Sequence, residues 1–222
     1  MRTFYLRSFP LFCNLSEGQL VDVNSHMKFR QIYKGEVINY GSVESSKIFF
    51  LIKGKVKLTD IGDEENELVK DILIEGDVFG DLGMEGQPKN DEVAEALTTN
   101  TIICYCHVDS FRKIMELNPL LALNYARKVS SKLRKLEDRH ADLVFRDTKS
   151  RLIRFIKNWA QMEGSQVGDK IVLNNYLTHS DIANFISTSR QSVNLLLNEL
   201  RDSGFLYYDR KQIELNAHGV WN

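Results

Sequence analysis

Apolar residues near the end of the chain recur at helical spacing in two short runs separated by a polar turn. The first run contains Ile182, Ala183 and Ile186, and the second contains Val193, Leu196, Leu197 and Leu200. This periodicity predicts two short helices. Thr178, followed by Asp181 at the capping-box spacing, predicts the start of the first helix. Thr188 and Gln191 have the same spacing at the start of the second helix, which Gly204 is predicted to end.

The residues that this pattern leaves exposed near the start of the second helix are polar. They are Ser189, Arg190, Gln191, Ser192 and Asn194. An arginine can donate two hydrogen bonds to guanine, a glutamine or asparagine can pair with adenine, and hydroxyl groups can hold phosphates. We therefore predict that these residues contact DNA, together with Thr178 and His179 at the start of the first helix. The alternative is an ordinary helical hairpin with a solvated polar face.

The segment FLYYDRKQIEL, residues 205–215, favours the DNA-binding interpretation. It has two short β-like runs around Asp209-Arg210-Lys211, which predicts a hairpin with two positive charges at its tip. Two helices followed by such a hairpin form a winged helix, and the basic tip could meet a phosphate backbone.

Between about residues 29 and 108, short apolar runs alternate with glycine-centred turns. Ile48–Ile52 is a predicted buried strand, and the turn at Lys53-Gly54 leads into an alternating strand. Evenly spaced short strands indicate an antiparallel sandwich or barrel. Before them, residues 1–27 are predicted to form a short helical lead-in with Leu15, Leu20 and Val23 on its apolar side.

The segment from Glu75 to Ala96 is unusually rich in glycine. Gly76, Gly80, Gly83 and Gly86 fall within eleven residues. Glycine-rich turns allow backbone amides to approach an anion, although plain turns account for most such segments.

A helical region is predicted from Ser110 to about Arg146, and its second part has an apolar seam with spacings of 3, 4, 3, 4 and 3 residues. The seam residues are Ala126, Val129, Leu133, Leu136, His140 and Leu143. This a/d pattern predicts a dimer interface, since a two-fold DNA reader requires a dimer. The alternative is an amphipathic helix that packs on its own domain. We expect His140 to be partly buried and hydrogen-bonded, with a pH-sensing or metal-binding role as the alternative.

Another helix is predicted from Asp147 to Met162, followed by a loop and a strand at Lys170–Leu173. The expected domains are residues 1–109, a linking helix over 110–146, and residues 147–222.

Composition adds few constraints. The 222 residues carry a net charge of −1 and are 43% hydrophobic. No apolar run approaches membrane-spanning length and the N-terminus lacks a signal-peptide core, so a cytoplasmic protein with no membrane partner is expected. The three cysteines argue against a disulfide framework. No G-x-S-x-G, H-E-x-x-H or P-loop motif occurs, so we expect no enzyme and predict no catalytic residue.

Four segments together resemble the Crp–Fnr superfamily of bacterial transcription regulators. They are GEVINYGSVESSKIFFLIKGKVKL, GDVFGDLGM, RDTKSRLIRFI and LTHSDIANFISTSRQSVNLLLNEL. The resemblance implies an α+β fold with an N-terminal antiparallel β-roll (a double-stranded β-helix), a long dimerisation helix and a C-terminal winged helix-turn-helix. It also implies a homodimer that binds palindromic double-stranded DNA, is modulated by an effector and contacts RNA polymerase. The alternative is a ligand-binding or enzymatic β-roll with a winged helix that does not read DNA.

Departures from the family bear on the effector, which stays unidentified. Members that bind cyclic nucleotides carry an arginine and then serine or threonine after a Gly-Glu-Leu segment. Here the segment is Gly80-Asp81-Leu82 and the aligned pair is Asn90-Asp91, which together form the candidate effector pocket. Because an amide and a carboxylate replace the arginine, we expect weak or no binding of cAMP. Asp81 could still reach a ribose hydroxyl. Leu136-Glu137 stand where cAMP-binding members offer Thr-Ser.

Iron–sulfur members need four cysteines, so such a cluster is disfavoured here. Cys104-x-Cys106-His107 lies on a predicted strand and could bind a metal or haem, although burial as small apolar residues is favoured. We predict no metal site and leave haem open.

The second helix of the predicted helix-turn-helix also departs from the family. Gln191 stands where glutamate is usual and Leu195 replaces a second arginine, so we expect a different target sequence. Ser187 occupies a turn position where glycine is common, so a positive φ there would be modestly strained.

Overall fold

The computed structural model describes residues 2–39, 46–62, 67–84 and 92–216, and the structural statements below concern those ranges. The chain divides into two compact units, Met1–Leu136 and Glu137–Asn222.

The first unit begins with two short helices, α1 (Arg2–Ser8) and α2 (Glu17–His26). Ser16 and Gln19 form a capping box at the start of α2. The Ser16 amide donates to Gln19 Oε1 at 2.8 Å, and the Gln19 amide donates to Ser16 Oγ at 3.4 Å. The side chains of Leu20 and Val23 form the buried face of α2. The predicted helical lead-in is therefore confirmed as two helices.

Two four-stranded antiparallel sheets follow and confirm the expected β-roll. The first sheet contains, in spatial order, β1 (Lys28–Ile32), β8 (Thr101–His107), β3 (Lys47–Lys53) and β6 (Val78–Gly80). The second contains β2 (Val37–Asn39), β7 (Glu92–Ala96), β4 (Val56–Ile61) and β5 (Glu67–Leu73).

The apolar run in β3 is continuous because both of its faces are buried. Phe49 and Leu51 join the core between the sheets, where Phe49 stacks on Phe79 with ring centroids 4.9 Å apart. Ile48 and Phe50 join a second core that the first sheet shares with the helices. A strand that is buried on both faces loses the alternation of a half-buried strand.

The predicted helical region after the roll consists of two helices, α3 (Val108–Leu117) and α4 (Pro119–Phe145). Asn118 separates them with φ −135° and ψ 79°. Its side-chain amide donates to the Ile114 carbonyl at 2.8 Å. Pro119 occupies the first position of α4, where its missing N–H has no intrahelical partner to lose.

The second unit contains α5 (Thr148–Glu163), which Asp147 caps by accepting a 2.7 Å hydrogen bond from the Ser150 amide. This bond and the one to the Ser150 side chain hold the pKa of Asp147 below its ordinary value. Two strands follow, β9 (Ser165–Val167) and β10 (Lys170–Asn174). The expectation of a loop over residues 165–167 was wrong. All three residues of β9 are exposed, so they give no apolar alternation.

The remaining elements are α6 (His179–Ile186), α7 (Arg190–Asp202), β11 (Leu206–Tyr208) and β12 (Gln212–Asn216). The four strands of this unit form an antiparallel sheet in the order β11-β12-β10-β9. The helix-turn-helix and its β-hairpin wing are thus confirmed. Among the described residues, no helix is long and apolar enough to cross a membrane.

Candidate nucleic-acid interface

The first helix of the helix-turn-helix begins where the capping pattern predicted. The Asp181 amide donates to Thr178 Oγ1 at 3.1 Å, and the Thr178 amide donates to Asp181 Oδ2 at 2.8 Å. The apolar residues of α6 are buried, namely Ile182, Ala183 and Ile186. Thr178, the N-cap residue itself, is exposed, so a ligand can reach it.

The turn between the helices depends on Arg151, a residue that the sequence did not single out. Ser187 has φ 56° and ψ 64°, the left-handed conformation that was expected to be strained. The Arg151 guanidinium from α5 donates to the Ile186 carbonyl at 3.0 Å and to the Ser187 carbonyl at 3.3 Å. Arg151 therefore satisfies the carbonyl groups that α6 leaves open at its end. No local spacing signals this contact, because it joins residues 35 and 36 positions apart.

The second helix starts one residue later than predicted. Its N-cap is Ser189, whose hydroxyl accepts a 3.0 Å hydrogen bond from the Ser192 amide. The expectation that Thr188 caps the helix was wrong. The Thr188 amide instead donates to the Ala183 carbonyl at 3.0 Å, which makes Thr188 part of the turn. The predicted end at Gly204 is confirmed, since Gly204 has φ +74° just after the helix.

The predicted DNA-binding residues of α7 come together on one exposed surface. Val193, Leu197 and Leu200 are buried on the opposite side of the helix. Ser189, Arg190, Gln191 and Asn194 are exposed, and Ser192 is half-buried. Leu195, which stands where the family has a second arginine, is also on the outward side and is 68% exposed.

His179 is the first residue of α6 and contacts the wing. Its ring is 5.8 Å from the ring of Tyr208, centroid to centroid. Burial, and then the positive charge of Arg190, lower the pKa of His179. The Tyr208 hydroxyl is also 3.2 Å from Asn198 Oδ1, which connects the wing to the exposed half of α7. A tyrosine ring contact and a hydrogen bond thus orient the wing strand beside the predicted DNA-binding surface.

The tip of the wing has the predicted charges. Asp209 accepts hydrogen bonds from the amides of Lys211 at 2.7 Å and Gln212 at 2.8 Å. These bonds lower the pKa of Asp209, so its carboxylate stays ionised within the turn. Arg210 and Lys211 are exposed. The two cations therefore stand at the solvent side of an ordered turn.

The candidate effector segment of the β-roll is only partly described. Gly80, Asp81 and Leu82 are adjacent, whereas Asn90 and Asp91 lie outside the described residues. The Asp81 carboxylate is almost fully buried and accepts a hydrogen bond from the Ser46 hydroxyl. Gly80 has φ +94°, and a Cβ atom there would collide with the Lys47 carbonyl, so this position requires glycine.

The same segment is fastened to the first half of α4. Lys128 pairs with Asp77 at 2.7 Å, and Lys132 Nζ donates to the Val78 carbonyl at 3.2 Å. The Tyr125 hydroxyl donates to the Leu82 carbonyl at 2.7 Å. Burial and the nearby charge of Asp81 raise the pKa of Tyr125. A displacement of residues 77–82 would therefore act directly on α4.

Charged residues occupy part of the second sheet, which the sequence did not indicate. Glu92 is only 8% exposed and shares one face of β7 with Ala94 and Ala96, which belong to the core between the sheets. Lys70 pairs with Glu92 and lies 3.6 Å from Asp60. The register of β4 and β5 leaves Lys70 as the extra residue of a bulge. A buried carboxylate thus stands just after the position of Asn90-Asp91.

The predicted seam on α4 is largely exposed in the single chain. Leu133 is 56% exposed, Leu136 60% and Leu143 40%, and Ala126 is exposed as well. Val129 is half-buried because it also packs on the core of its own unit. His140 is exposed in the single chain, so its partial burial stays a prediction for the dimer.

Cys104 and Cys106 share the second core with Phe50 and Ile48. Burial raises the pKa of the Cys106 thiol to about 12 and raises that of Cys104 as well, so both thiols are protonated. They pack as small apolar side chains. The described residues contain no group of three or more His, Cys, Asp or Glu side chains that could hold a metal ion.

Comparison with known proteins agrees with this arrangement. Residues 29–118 match the family model described as a cyclic nucleotide-binding domain, and residues 150–218 match the Crp-like helix-turn-helix domain. The β-roll, long helix and winged helix, together with these matches, define a DNA-binding regulator with an N-terminal sensor-type domain. The chain belongs to the Crp–Fnr family of transcription regulators.

Individual relatives are distant but extend over most of the chain. The "Global nitrogen regulator" of Nostoc sp. is 26% identical over 184 residues, which is 82% of this chain and 82% of that protein. The "CRP-like cAMP-activated global transcriptional regulator" of Mycobacterium tuberculosis is 23% identical over 180 residues, 81% of this chain and 80% of that one. Among solved structures, a CooA mutant from Carboxydothermus hydrogenoformans is similar with a TM-score of 0.78 and 24% identity, over 96% of this chain and 94% of that chain.

Proposed function

We propose that this chain is a homodimeric transcription regulator that recognises a palindromic DNA site through α7 and whose DNA affinity depends on an effector of the β-roll. The observation that carries the proposal is the outward surface of α7. Arg190, Gln191 and Asn194 are exposed there, above a buried apolar rear. Ser189 and Ser192 add hydroxyl groups at the helix N-terminus, where backbone N–H groups attract phosphate.

The exposed seam of α4 supports the homodimer. Leu133, Leu136 and Leu143 present apolar surface at a/d spacing along the helix, and charged side chains flank them. Such a stripe is stabilised when a second copy covers it. In a two-fold dimer the two copies of α7 then meet two half-sites about one helical turn apart, roughly 34–36 Å.

Contacts between the β-roll and α4 support effector control. Three side chains of α4, Tyr125, Lys128 and Lys132, bind the segment that contains the candidate effector residues. An effector that binds one position of this segment more tightly than another would shift the equilibrium between the two positions, and α4 would move with the segment. The size of the shift is set by the difference between the two affinities. The dimer interface would transmit that shift to DNA affinity.

The residues aligned with the family's phosphate-binding pair argue against cAMP as that effector. The pair Asn90-Asp91 supplies no arginine for a cyclic phosphate, and its second member is an anion. Asp81 already accepts the Ser46 hydroxyl. We therefore propose an effector other than cAMP and other than an iron–sulfur cluster.

One further partner and a location follow from this role. A regulator that acts at promoters requires RNA polymerase, and we propose that enzyme as a partner. Because the chromosome of a bacterium lies in the cytoplasm, we propose that the protein acts there. We also propose that it catalyses no reaction.

Selection of bound fragments from a random DNA pool tests the proposal. The purified full chain, with nothing added, is expected to enrich a palindromic motif, and its affinity should fall steeply with salt. If no motif is enriched with the protein alone or in the presence of candidate small molecules, the winged helix does not read DNA, and the alternative of a ligand-binding or enzymatic β-roll becomes the better account.

A further inference from the structure

Leu195 is a large apolar residue on a surface that is otherwise polar. It is 68% exposed in the middle of α7. It follows Asn194 directly and lies one helical turn after Gln191. The buried residues Val193 and Leu197 are on the opposite side of the helix. Leu195 therefore projects from the centre of the outward face, beside two of the side chains proposed to contact bases.

The chemistry of the major groove limits what such a residue can do there. Leucine neither donates nor accepts hydrogen bonds, whereas most groups on base edges are polar. The C5 methyl of thymine is the apolar group that a base pair presents in the major groove. A leucine facing other bases would remove polar edges from water without replacing their hydrogen bonds.

We propose that Leu195 is a specificity-determining residue that selects thymine by packing against its C5 methyl group. This inference rests on the proposed function of α7 as a reader of DNA. Four residues of an α-helix rise about 6 Å. Since base pairs are spaced about 3.4 Å apart, the selected thymine lies within roughly two base pairs of the base contacted by Gln191.

Removal of single methyl groups from the DNA tests this contact without changing the protein. Each thymine of the selected palindrome is replaced in turn, in both half-sites, by deoxyuridine, which lacks only the C5 methyl group. Fluorescence anisotropy with wild-type protein should show that deoxyuridine lowers DNA affinity about fourfold per half-site at one symmetric thymine pair. This is the change in affinity that burial of one methyl group supplies. At that pair, Leu195→Ala should bind thymine and deoxyuridine equally.

Val167→Ala is the matched control. Val167 is 62% exposed on β9, the edge strand opposite β11 in the sheet, so this variant should keep the wild-type response to deoxyuridine. Leu195→Arg should retain folding, because the side chain is exposed, and should enrich guanine in place of the thymine in a second selection. Thermal melting of each variant establishes that the winged helix is intact.

The outcomes separate this inference from the function on which it rests. Wild-type protein could enrich a palindrome while Leu195→Ala responds to every deoxyuridine substitution with the same change in affinity as wild type. That result would refute the thymine contact and leave DNA reading intact. If wild-type protein enriches no sequence, either alone or with candidate small molecules, the proposed function and the inference both fail.

Discussion

Leu133→Asp is the substitution that most directly tests the proposed dimer seam on α4. Leu133 is 56% exposed in the single chain. Because full burial of a leucine contributes about 1.5–3 kcal/mol, covering the exposed half contributes about 1–1.5 kcal/mol per chain, or about 2–3 kcal/mol in a symmetric dimer. Two aspartates in an apolar seam add desolvation and mutual repulsion. We predict a loss of at least about 4 kcal/mol, which raises the dimer dissociation constant roughly a thousandfold.

Sedimentation velocity over a range of protein concentrations measures this loss. Wild-type protein should sediment as a dimer, and Leu133→Asp should sediment as a folded monomer at micromolar concentration. Val167→Asp is the control, since Val167 is 62% exposed but lies outside the seam. If Leu133→Asp sediments as a dimer with wild-type affinity, the interface lies elsewhere and the seam is an amphipathic surface of its own unit.

Four further predictions follow from the site. Arg190→Ala should weaken operator binding by about 1–3 kcal/mol and relax one base position in competition assays; unchanged selectivity would exclude its contact with a base. Ser187→Gly should stabilise the protein by about 0.5–1 kcal/mol in urea unfolding by relieving the left-handed strain, whereas Ser203→Gly, at φ −80°, should destabilise it. Because the folded pKa of His179 is lowered, its contribution to stability is present above its unfolded pKa and is lost as pH falls through about 6.5 and below; His179→Gln should reduce this loss between pH 8 and pH 5, and an identical pH dependence would contradict the shift. Calorimetry should detect no micromolar binding of cAMP, because Asn90-Asp91 replaces the arginine that would hold the phosphate; a micromolar dissociation constant would overturn this argument.

The helix-turn-helix was predictable because its signals are local. Thr178 and Asp181 satisfy each other across three residues, and the periodicity of α7 shows which side is buried. The choice between Thr188 and Ser189 as the cap of α7 was not local, since both side chains can cap a helix. That choice follows from the left-handed turn at Ser187, whose carbonyl Arg151 binds from another helix.

The less predictable features depend on contacts between distant positions. Lys70 and Glu92 meet only because β5 and β7 flank β4 in one sheet, and a bulge displaces Lys70. The end of α3 at Asn118 depends on two hydrogen bonds of the Asn118 side chain. Its amide nitrogen donates to the Ile114 carbonyl, and its amide oxygen accepts from the Gln19 side chain at 2.5 Å. The strand β9 has no buried residue, so the hydrophobic pattern could not reveal it.

The spacing of half-sites tests the central claim that a symmetric dimer reads DNA through its two copies of α7. Anisotropy titrations would compare the selected operator with versions that carry five or ten extra base pairs between the half-sites. Five base pairs turn one half-site to the opposite face of the duplex, so affinity should fall to that of a single half-site. Equal affinity for every spacing would show that the two copies of α7 do not bind together, which contradicts the account.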